Sequence, residues 1–118
     1  MKKIISIIII CSLLCGCDNT SNIEKISCNK LEELQKEDNT VIIDVRTKEE
    51  YDENHLDNAI NIPVDIIATE IEKQEDINNN TNIIVYCKSG VRSDKAAHIL
   101  EEQKYKKIYD LGAISKCS

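Results

Sequence analysis

Short runs of β-branched apolar residues alternate along this chain with stretches in which apolar residues recur every three or four positions. The runs predict strands at residues 23–26, 41–43, 83–86 and 107–109. Residues 41–43 and 83–85 are apolar at every position, which is typical of central parallel strands covered on both faces. The alternation therefore predicts an α/β fold with helices on either side of the sheet.

Four of the intervening stretches predict helices. Thr47 followed by Glu50 has the form of a capping box, so a short helix should begin at Lys48. The other three helices are predicted at residues 31–36, around an apolar face of Ile66, Ile67 and Ile71, and over residues 93–104.

The first residues have a different pattern. Met1, Lys2 and Lys3 precede a nearly uniform apolar run over residues 4–15, which is the charged start and apolar centre of a secretory signal. The run is shorter than the roughly 20 residues that a membrane-spanning helix needs. Residues 1–16 are therefore predicted to be a signal peptide, and the domain is expected to be exported.

Residues 14–17, Leu-Cys-Gly-Cys, resemble the lipobox of bacterial lipoproteins. The resemblance implies that Cys17 carries the lipid and that residues 17–22 form a short polar tether. Acyl chains contribute about 0.8 kcal/mol per buried methylene, so such an anchor holds a domain at a membrane without a spanning helix. We expect a lipoprotein on the outer side of the cytoplasmic membrane or in the periplasm.

Length and charge narrow the possible functions. The chain has 118 residues, enough for one domain over residues 23–118, and a formal net charge of -6. An acidic chain without a large positively charged surface is not expected to bind nucleic acid irrespective of its sequence. The six cysteines do not fall into the paired spacing of structural zinc sites, so no metal site is expected.

A six-residue segment beginning with Cys87 joins the strand at 83–86 to the last predicted helix. Gly90 permits the positive φ of a tight turn, whose N–H groups attract an anion together with the helix start. Lys88 and Arg92 add full positive charges. These surroundings favour a thiolate and predict that Cys87 is a nucleophile. The alternative is an unreactive cysteine buried at a strand end.

Four separated motifs resemble the rhodanese family of sulfurtransferases. They match the family's strand with an acidic–basic pair, its "G-H-I-x-G-A-x-N-I-P" segment, its six-residue active-site loop and its closing strand with a glycine turn. In this chain they are residues 44–51, 55–63, 87–92 and 109–112. The resemblance implies a rhodanese-like fold with about five strands in a mostly parallel sheet and helices on both faces.

The resemblance also implies a mechanism. Cys87 would take a sulfane sulfur from an anionic donor such as thiosulfate, hold it as a persulfide and pass it to a thiol or cyanide. The loop residues that would bind the donor are Lys88, Ser89, Gly90, Val91 and Arg92. No metal or organic cofactor is required. Related phosphatases and arsenate reductases have a loop one residue longer, so the loop length favours sulfur transfer.

Four motif residues are expected to have structural roles. Asp44 and Arg46 should form an ion pair at the end of their strand, with neighbours that include Glu50. His55 invites interpretation as a general base or a metal ligand. It has no partner at ligand spacing, however, so a hydrogen-bonded structural role is favoured.

Some positions depart from the family pattern. Asn54 and Asn58 stand where the family has glycine, and Asn is the residue after Gly that best accepts left-handed backbone angles. Ala113 replaces the second glycine of the closing turn, and Cys117 replaces an aromatic residue.

Two cysteines outside the loop suggest a disulfide. In a rhodanese-like sheet the first strand lies beside the last, which brings Cys28 and Cys117 to one edge, and cysteines of exported proteins tend to pair. The alternatives are that both thiols are free, or that Cys117 faces Cys87.

Two other functions remain open at this point. Cys87 could exchange sulfur or disulfides with another envelope protein without turning over small donors. The domain could also be a non-catalytic binding module, although inactive members of the family typically lose the loop cysteine that this chain keeps.

Overall fold

The fold is a single parallel sheet in a computed structural model that describes residues 20–117. Its order is β1-β5-β4-β2-β3, and each neighbouring pair is parallel. The strands are β1 (Ile23–Lys25), β2 (Thr40–Asp44), β3 (Ala59–Asn61), β4 (Asn82–Cys87) and β5 (Ile108–Ala113). The predicted five-stranded α/β fold is confirmed. The predicted signal peptide and the lipidated Cys17 lie outside the described residues.

Helices connect the strands. They are α1 (Cys28–Gln35), α2 (Lys48–Glu53), α3 (Ile67–Glu70) and α4 (Val91–Glu102), with 3₁₀ turns at Val64–Ile66, Ile71–Lys73 and Ile114–Cys117. The predicted capping box at α2 is present: the Thr47 hydroxyl accepts from the Glu50 N–H, and the Glu50 carboxylate accepts from the Thr47 N–H. In the described part of the chain, no helix is long and apolar enough to cross a membrane.

Two apolar clusters cover the two faces of the sheet. Along β4, alternate side chains point to opposite faces, so Val85 and Cys87 pack with α4 while Tyr86 packs with α1. All six residues of β4 are buried, as the continuous apolar run predicts for a central strand. The carboxyl end of this strand delivers Cys87 to the edge of the sheet where α4 begins.

The third predicted helix is broken. Ile67 and Ile71 are fully buried, but Ile66 is 47% exposed, so its assignment to the same apolar face is wrong. The segment is one α-helical turn between two 3₁₀ turns, and this shorter spacing moves Ile66 out of the buried face. The last helix begins at Val91, two residues earlier than predicted.

The first and last strands are neighbours, with Ile23 opposite Ile108. Cys28 at the start of α1 and Cys117 in the last 3₁₀ turn form a disulfide with a Cα–Cα distance of 5.3 Å. The predicted pairing is confirmed, and neither alternative is present. Cys117 packs against the same apolar cluster as α1, in the place of the family's aromatic residue.

The two asparagines that replace glycines behave differently. Asn58 has φ 69°, as predicted for a left-handed turn. Asn54 has φ −172°, which is extended backbone open to any residue, so the left-handed prediction is wrong there. Its carbonyl instead accepts a hydrogen bond of 2.6 Å from Arg46 Nη2.

Candidate active site

The loop between β4 and α4 wraps around the sulfur of Cys87. Sγ accepts hydrogen bonds from the N–H of Gly90 at 3.0 Å and from the N–H of Ser93 at 3.3 Å. The Ser93 hydroxyl donates to the Gly90 carbonyl at 3.2 Å and closes the turn. Gly90 has φ 103°, a conformation that costs glycine little and other residues more. The sulfur therefore sits among backbone donors at a helix N-terminus.

The electrostatic environment of Sγ favours a negative charge. Backbone N–H donors and the partial positive charge at the start of the 12-residue α4 both stabilise a thiolate. Cys87 is the one free cysteine among residues 20–117, and it is completely buried. The site thus combines the predicted anion-binding loop with the burial expected of a core cysteine.

Arg92 at the far end of the loop is engaged by Glu50. The guanidinium makes two parallel contacts, Nη1 to Oε1 at 2.7 Å and Nη2 to Oε2 at 3.1 Å. Hydrogen bonds from Arg92 and from the Thr47 backbone lower the pKa of Glu50 to about 2. The same pairing raises the pKa of Arg92.

Glu50 has a direct partner that the sequence did not predict. The capping box holds Glu50 on the first turn of α2, where its carboxylate pairs with Arg92 of the active-site loop, and its charge also helps to raise the pKa of Arg46. Asp44 and Arg46 form their buried ion pair with each other, with Nη2 to Oδ2 at 2.7 Å.

A tyrosine joins that buried pair to the strand that carries Cys87. The Tyr86 hydroxyl donates to Asp44 Oδ2 at 2.8 Å and accepts from the Leu56 N–H at 3.0 Å. Its ring lies 5.8 Å from the Arg46 guanidinium carbon. Burial raises the pKa of Tyr86, which keeps the hydroxyl as a donor. The network fixes the ends of β2 and β4 relative to each other.

His55 lies on the surface. Its ring stacks on Tyr51 with a centroid distance of 3.8 Å, and Nδ1 is 2.8 Å from the Tyr51 carbonyl oxygen. These contacts are local ones within α2 and the residues after it, and the structural role of His55 stays a prediction. Residues 20–117 contain no group of three or more His, Cys, Asp or Glu side chains placed to hold a metal ion.

Two grooves flank the active-site loop. The Arg92 groove has a volume of about 280 Å³, and the Lys116 groove on the β5 side has a volume of about 300 Å³. The Arg92 groove is lined chiefly by Arg46, Thr47, Pro63, Val91, Arg92 and Lys95. The Lys116 groove is lined chiefly by Lys25, Ser89, Gly90, Asp110, Gly112 and Lys116.

Of the predicted donor-binding residues, the structure shows only Gly90 donating to Sγ through its backbone. Lys88, Ser89 and Val91 are exposed on the loop. Ser93 was missed by the sequence reasoning, although its position offers a signal. It stands three residues after the cap of α4, where backbone N–H groups lack helical partners and can bind an anion.

Comparison with known proteins places these features in a family. Residues 27–116 match the rhodanese-like domain. A rhodanese from E. coli, solved with anions, is 32% identical, with a TM-score of 0.62 over 67% of this chain and 92% of that chain.

Curated relatives are larger. YrkF of Bacillus subtilis (strain 168), a proposed sulfur carrier protein, is 33% identical over 96 residues, which are 80% of this chain and 50% of YrkF. The tRNA uridine(34) hydroxylase of Buchnera aphidicola is 30% identical over 95 residues, which are 77% of this chain and 30% of the hydroxylase. The chain thus spans half or less of the length of these two relatives.

Proposed function

The chain belongs to the rhodanese-like family of sulfurtransferases and sulfur carriers, and from that premise we propose that Cys87 is the catalytic residue of a sulfur transfer. It would accept a sulfane sulfur from an anionic donor such as thiosulfate and deliver it to a thiol or to cyanide. The observation that carries this proposal is the pair of backbone hydrogen bonds from Gly90 and Ser93 to Sγ.

The reaction has two steps that balance without an external oxidant or reductant. In the first, the Cys87 thiolate attacks the outer sulfur of thiosulfate. A bond forms between the two sulfurs, and the bond from that outer sulfur to the central sulfur breaks with its electron pair leaving on sulfite. In the second, the acceptor attacks the sulfane sulfur, and the electron pair of the broken S–S bond returns to Cys87 as a thiolate. The backbone donors around Sγ stabilise the charge in both steps.

Burial of Cys87 adds a requirement. A sulfur with no accessible surface cannot meet a donor unless groups around it move, and residues 88–92 form the loop that encloses it. Lys88 and Ser89 are exposed and sit next to the sulfur in the chain. We therefore infer that this loop moves aside to admit the donor, and that the exposed Lys88 is the cation that attracts the donor to the loop.

Arg92 is the second cation for the donor. Its planar guanidinium can donate two parallel hydrogen bonds to sulfonate oxygens, and in this structure it donates them to the Glu50 carboxylate. An incoming dianion would compete with Glu50 for the same N–H groups. Donor binding and the Arg92–Glu50 pair are therefore coupled.

Turnover of thiosulfate and cyanide by the full-length chain tests the proposed activity. Cys87→Ser should abolish it, because a hydroxyl is not ionised near neutral pH and cannot store sulfane sulfur. His55→Ala is the control, since His55 makes only surface structural contacts and its loss should leave the turnover of folded protein intact. Full turnover by Cys87→Ser would contradict the assignment.

A second candidate is sulfur carriage to a protein partner of the envelope without turnover of small molecules. The likeness to YrkF, a proposed sulfur carrier protein, favours it. In the described part of the chain, Cys28 and Cys117 are bonded to each other. No second free cysteine among these residues can therefore take the sulfur from Cys87, and the sulfur would pass from Cys87 directly to the partner. Persulfide formation without cyanide turnover would support carriage over catalysis.

We also propose that the protein is exported and anchored by a lipid on Cys17. The pattern of residues 1–17 motivates this, and the Cys28–Cys117 disulfide supports it because such bonds persist mainly outside the cytoplasm. A fatty-acid probe should label the full chain and the Cys15→Ser control, but not Cys17→Ser. Undiminished label on Cys17→Ser would contradict the proposal.

A further inference from the structure

The Lys116 groove opens beside the active-site loop, and its charged side chains, those of Lys25, Asp110 and Lys116, have no part in donor binding as proposed above. Ser89 and Gly90 of the loop form one wall, and Gly112 forms part of the other. A Cβ at Gly90 would lie 3.9 Å from the Gly112 Cα, so two backbones meet here without intervening side chains. A small molecule in this groove would therefore lie directly against the backbone of the loop that encloses Cys87.

One side of the groove carries the buried carboxylate of Asp110, which pairs with Lys25 through one oxygen only. Asp110 is only 2% exposed; its Oδ2 accepts from Lys25 Nζ at 3.3 Å, while Oδ1 has no hydrogen-bond partner among residues 20–117. Lys25 Nζ is also 3.6 Å from Asp94 Oδ1, so it lies between two carboxylates, and the other Asp94 oxygen is 3.8 Å from His98 Nδ1. Buried acceptors are normally satisfied, and this side therefore lacks a donor or a cation.

The other side of the groove carries an unpaired positive charge. Lys116 is exposed, and its Nζ would be 3.6 Å from a Cβ at Gly112. Within the described ranges it makes no ion pair. Cys117, the next residue, is fixed to α1 by the disulfide, which holds the turn carrying Lys116 against the sheet.

We propose that the Lys116 groove is the acceptor subsite, and that it takes a small zwitterionic aminothiol of the cysteine class. The ammonium group of the acceptor would meet the Asp110 and Asp94 side, and its carboxylate would meet Lys116. The inference rests on the proposed sulfur transfer and adds its acceptor class.

The transfer step balances with this acceptor. The acceptor thiol gives up its proton, which passes through water to the outer sulfur of the Cys87 persulfide anion left by the first step, and the resulting thiolate attacks that sulfur. A new S–S bond forms on the acceptor, the S–S bond to Cys87 breaks, and the electron pair stays on Cys87. The products are the acceptor persulfide, which keeps the persulfide proton, and the Cys87 thiolate.

The test uses the full-length chain with Cys87 first loaded by thiosulfate and desalted. Four thiols are then compared: L-cysteine, cysteamine without the carboxylate, 3-mercaptopropionate without the ammonium group, and 2-mercaptoethanol with neither. Rates are divided by the thiolate concentration of each compound, because thiolates are the attacking species. L-Cysteine should react about tenfold faster than cysteamine and 3-mercaptopropionate, a ratio in the range of the one charged hydrogen bond that each of them lacks. It should react about a hundredfold faster than 2-mercaptoethanol, which lacks both contacts.

Variants of charged residues test whether the groove causes the preference for L-cysteine. Lys116→Gln should lower the rate with L-cysteine to that with cysteamine and leave cysteamine unchanged. Asp94→Asn, at a half-exposed carboxylate, should narrow the ratio of L-cysteine to 3-mercaptopropionate, and it avoids the folding risk of changing buried Asp110. Lys106→Gln is the matched control, because it removes the same charge before the start of β5, at the other end of that strand.

The outcomes separate this inference from the proposed function. If thiosulfate leaves no sulfur on Cys87, the proposed donor is wrong, and the acceptor test proceeds with persulfide loaded from inorganic polysulfide. If Cys87 is loaded but the four thiols react alike, the acceptor subsite is wrong while sulfur transfer stands. An unchanged preference in Lys116→Gln, or a loss that affects only loading by thiosulfate, also overturns it.

Discussion

Glu50 controls the charge that the active-site loop presents. Its carboxylate pairs with both terminal nitrogens of the Arg92 guanidinium, so the cation at the end of the loop is neutralised before a donor arrives. The pair lies partly exposed, with 34% and 27% of the two side chains accessible, so an anion from solvent can reach it. The net attraction of the loop for a dianion is therefore set by a residue on another helix.

Glu50→Gln should strengthen donor binding. Glutamine keeps the capping box of α2 but removes the negative charge, so Arg92 is left for the donor. We expect the KM for thiosulfate to fall about threefold to tenfold, in the range of one charged contact, with a smaller change in kcat. Steady-state turnover at several thiosulfate concentrations measures this. A raised KM would show that Glu50 orients Arg92 for the donor and does not compete with it.

The Glu50–Arg92 pair also predicts that the stability of the fold depends on pH. Arg92 lowers the pKa of Glu50 from its ordinary value of 4.5 to about 2 in the folded protein. Ionised Glu50 therefore stabilises the fold above about pH 4.5, and this contribution is lost as the pH falls towards 2. Urea unfolding between pH 6 and about pH 3 should show a steeper loss in the native chain than in Glu50→Gln. Parallel curves would contradict the pairing.

At the scale of elements, Tyr86 joins β4 to β2 and to the segment after α2. Tyr86→Phe removes one donor to the buried Asp44 Oδ2, which keeps its hydrogen bonds from Arg46, and it removes the acceptor of the half-buried Leu56 N–H. The free energy of unfolding should fall by about 1–3 kcal/mol. Denaturant unfolding measures it, with Tyr109→Phe as the control at a half-buried tyrosine on β5. Equal losses in the two variants would show that the network adds nothing.

Several elements could be predicted from the sequence because their causes are local. The all-apolar runs of β2 and β4 and the capping box at Thr47 each depend on neighbouring residues alone. The break in the third helix could not, because Ile66 fits the helical period and only packing shows that it is exposed.

The candidate active site likewise has a part that could be predicted from local sequence and a part that could not. The position of Cys87 at the start of an anion-binding loop follows from the chain order of strand, glycine and helix. The partner of Arg92 does not, because Glu50 is 42 residues away and reaches the loop only after β2 and β4 have paired. Sequence patterns therefore locate the nucleophile but not the charge balance around it.

At the scale of the whole molecule, the Cys28–Cys117 disulfide closes a loop with a sequence separation of 89 residues. Replacing both cysteines by serine should lower the free energy of unfolding by about 4 kcal/mol, since the crosslink restricts the unfolded chain. Each single replacement should cost as much as the double, because either one breaks the bond. Denaturant unfolding measures the series, and additive single costs would show that the bond is absent in solution.

The same disulfide also affects the surroundings of the active-site loop. It fixes the turn that carries Lys116, and that turn borders the groove beside the active-site loop. Among residues 20–117, the paired cation Arg92 lies on one side of Cys87 and Lys116, which makes no ion pair there, lies on the other. This asymmetry is the physical basis for the proposed separation of donor and acceptor around one sulfur.

The most direct test of the account is the mass of the peptide that contains Cys87 after the full-length chain is treated with thiosulfate. Sulfur transfer through this residue predicts a gain of one sulfur, about 32 Da, on that peptide. The gain should disappear on reduction with a thiol and be absent in Cys87→Ser. An unmodified Cys87 peptide, or the same gain on a peptide carrying another cysteine, would contradict the account.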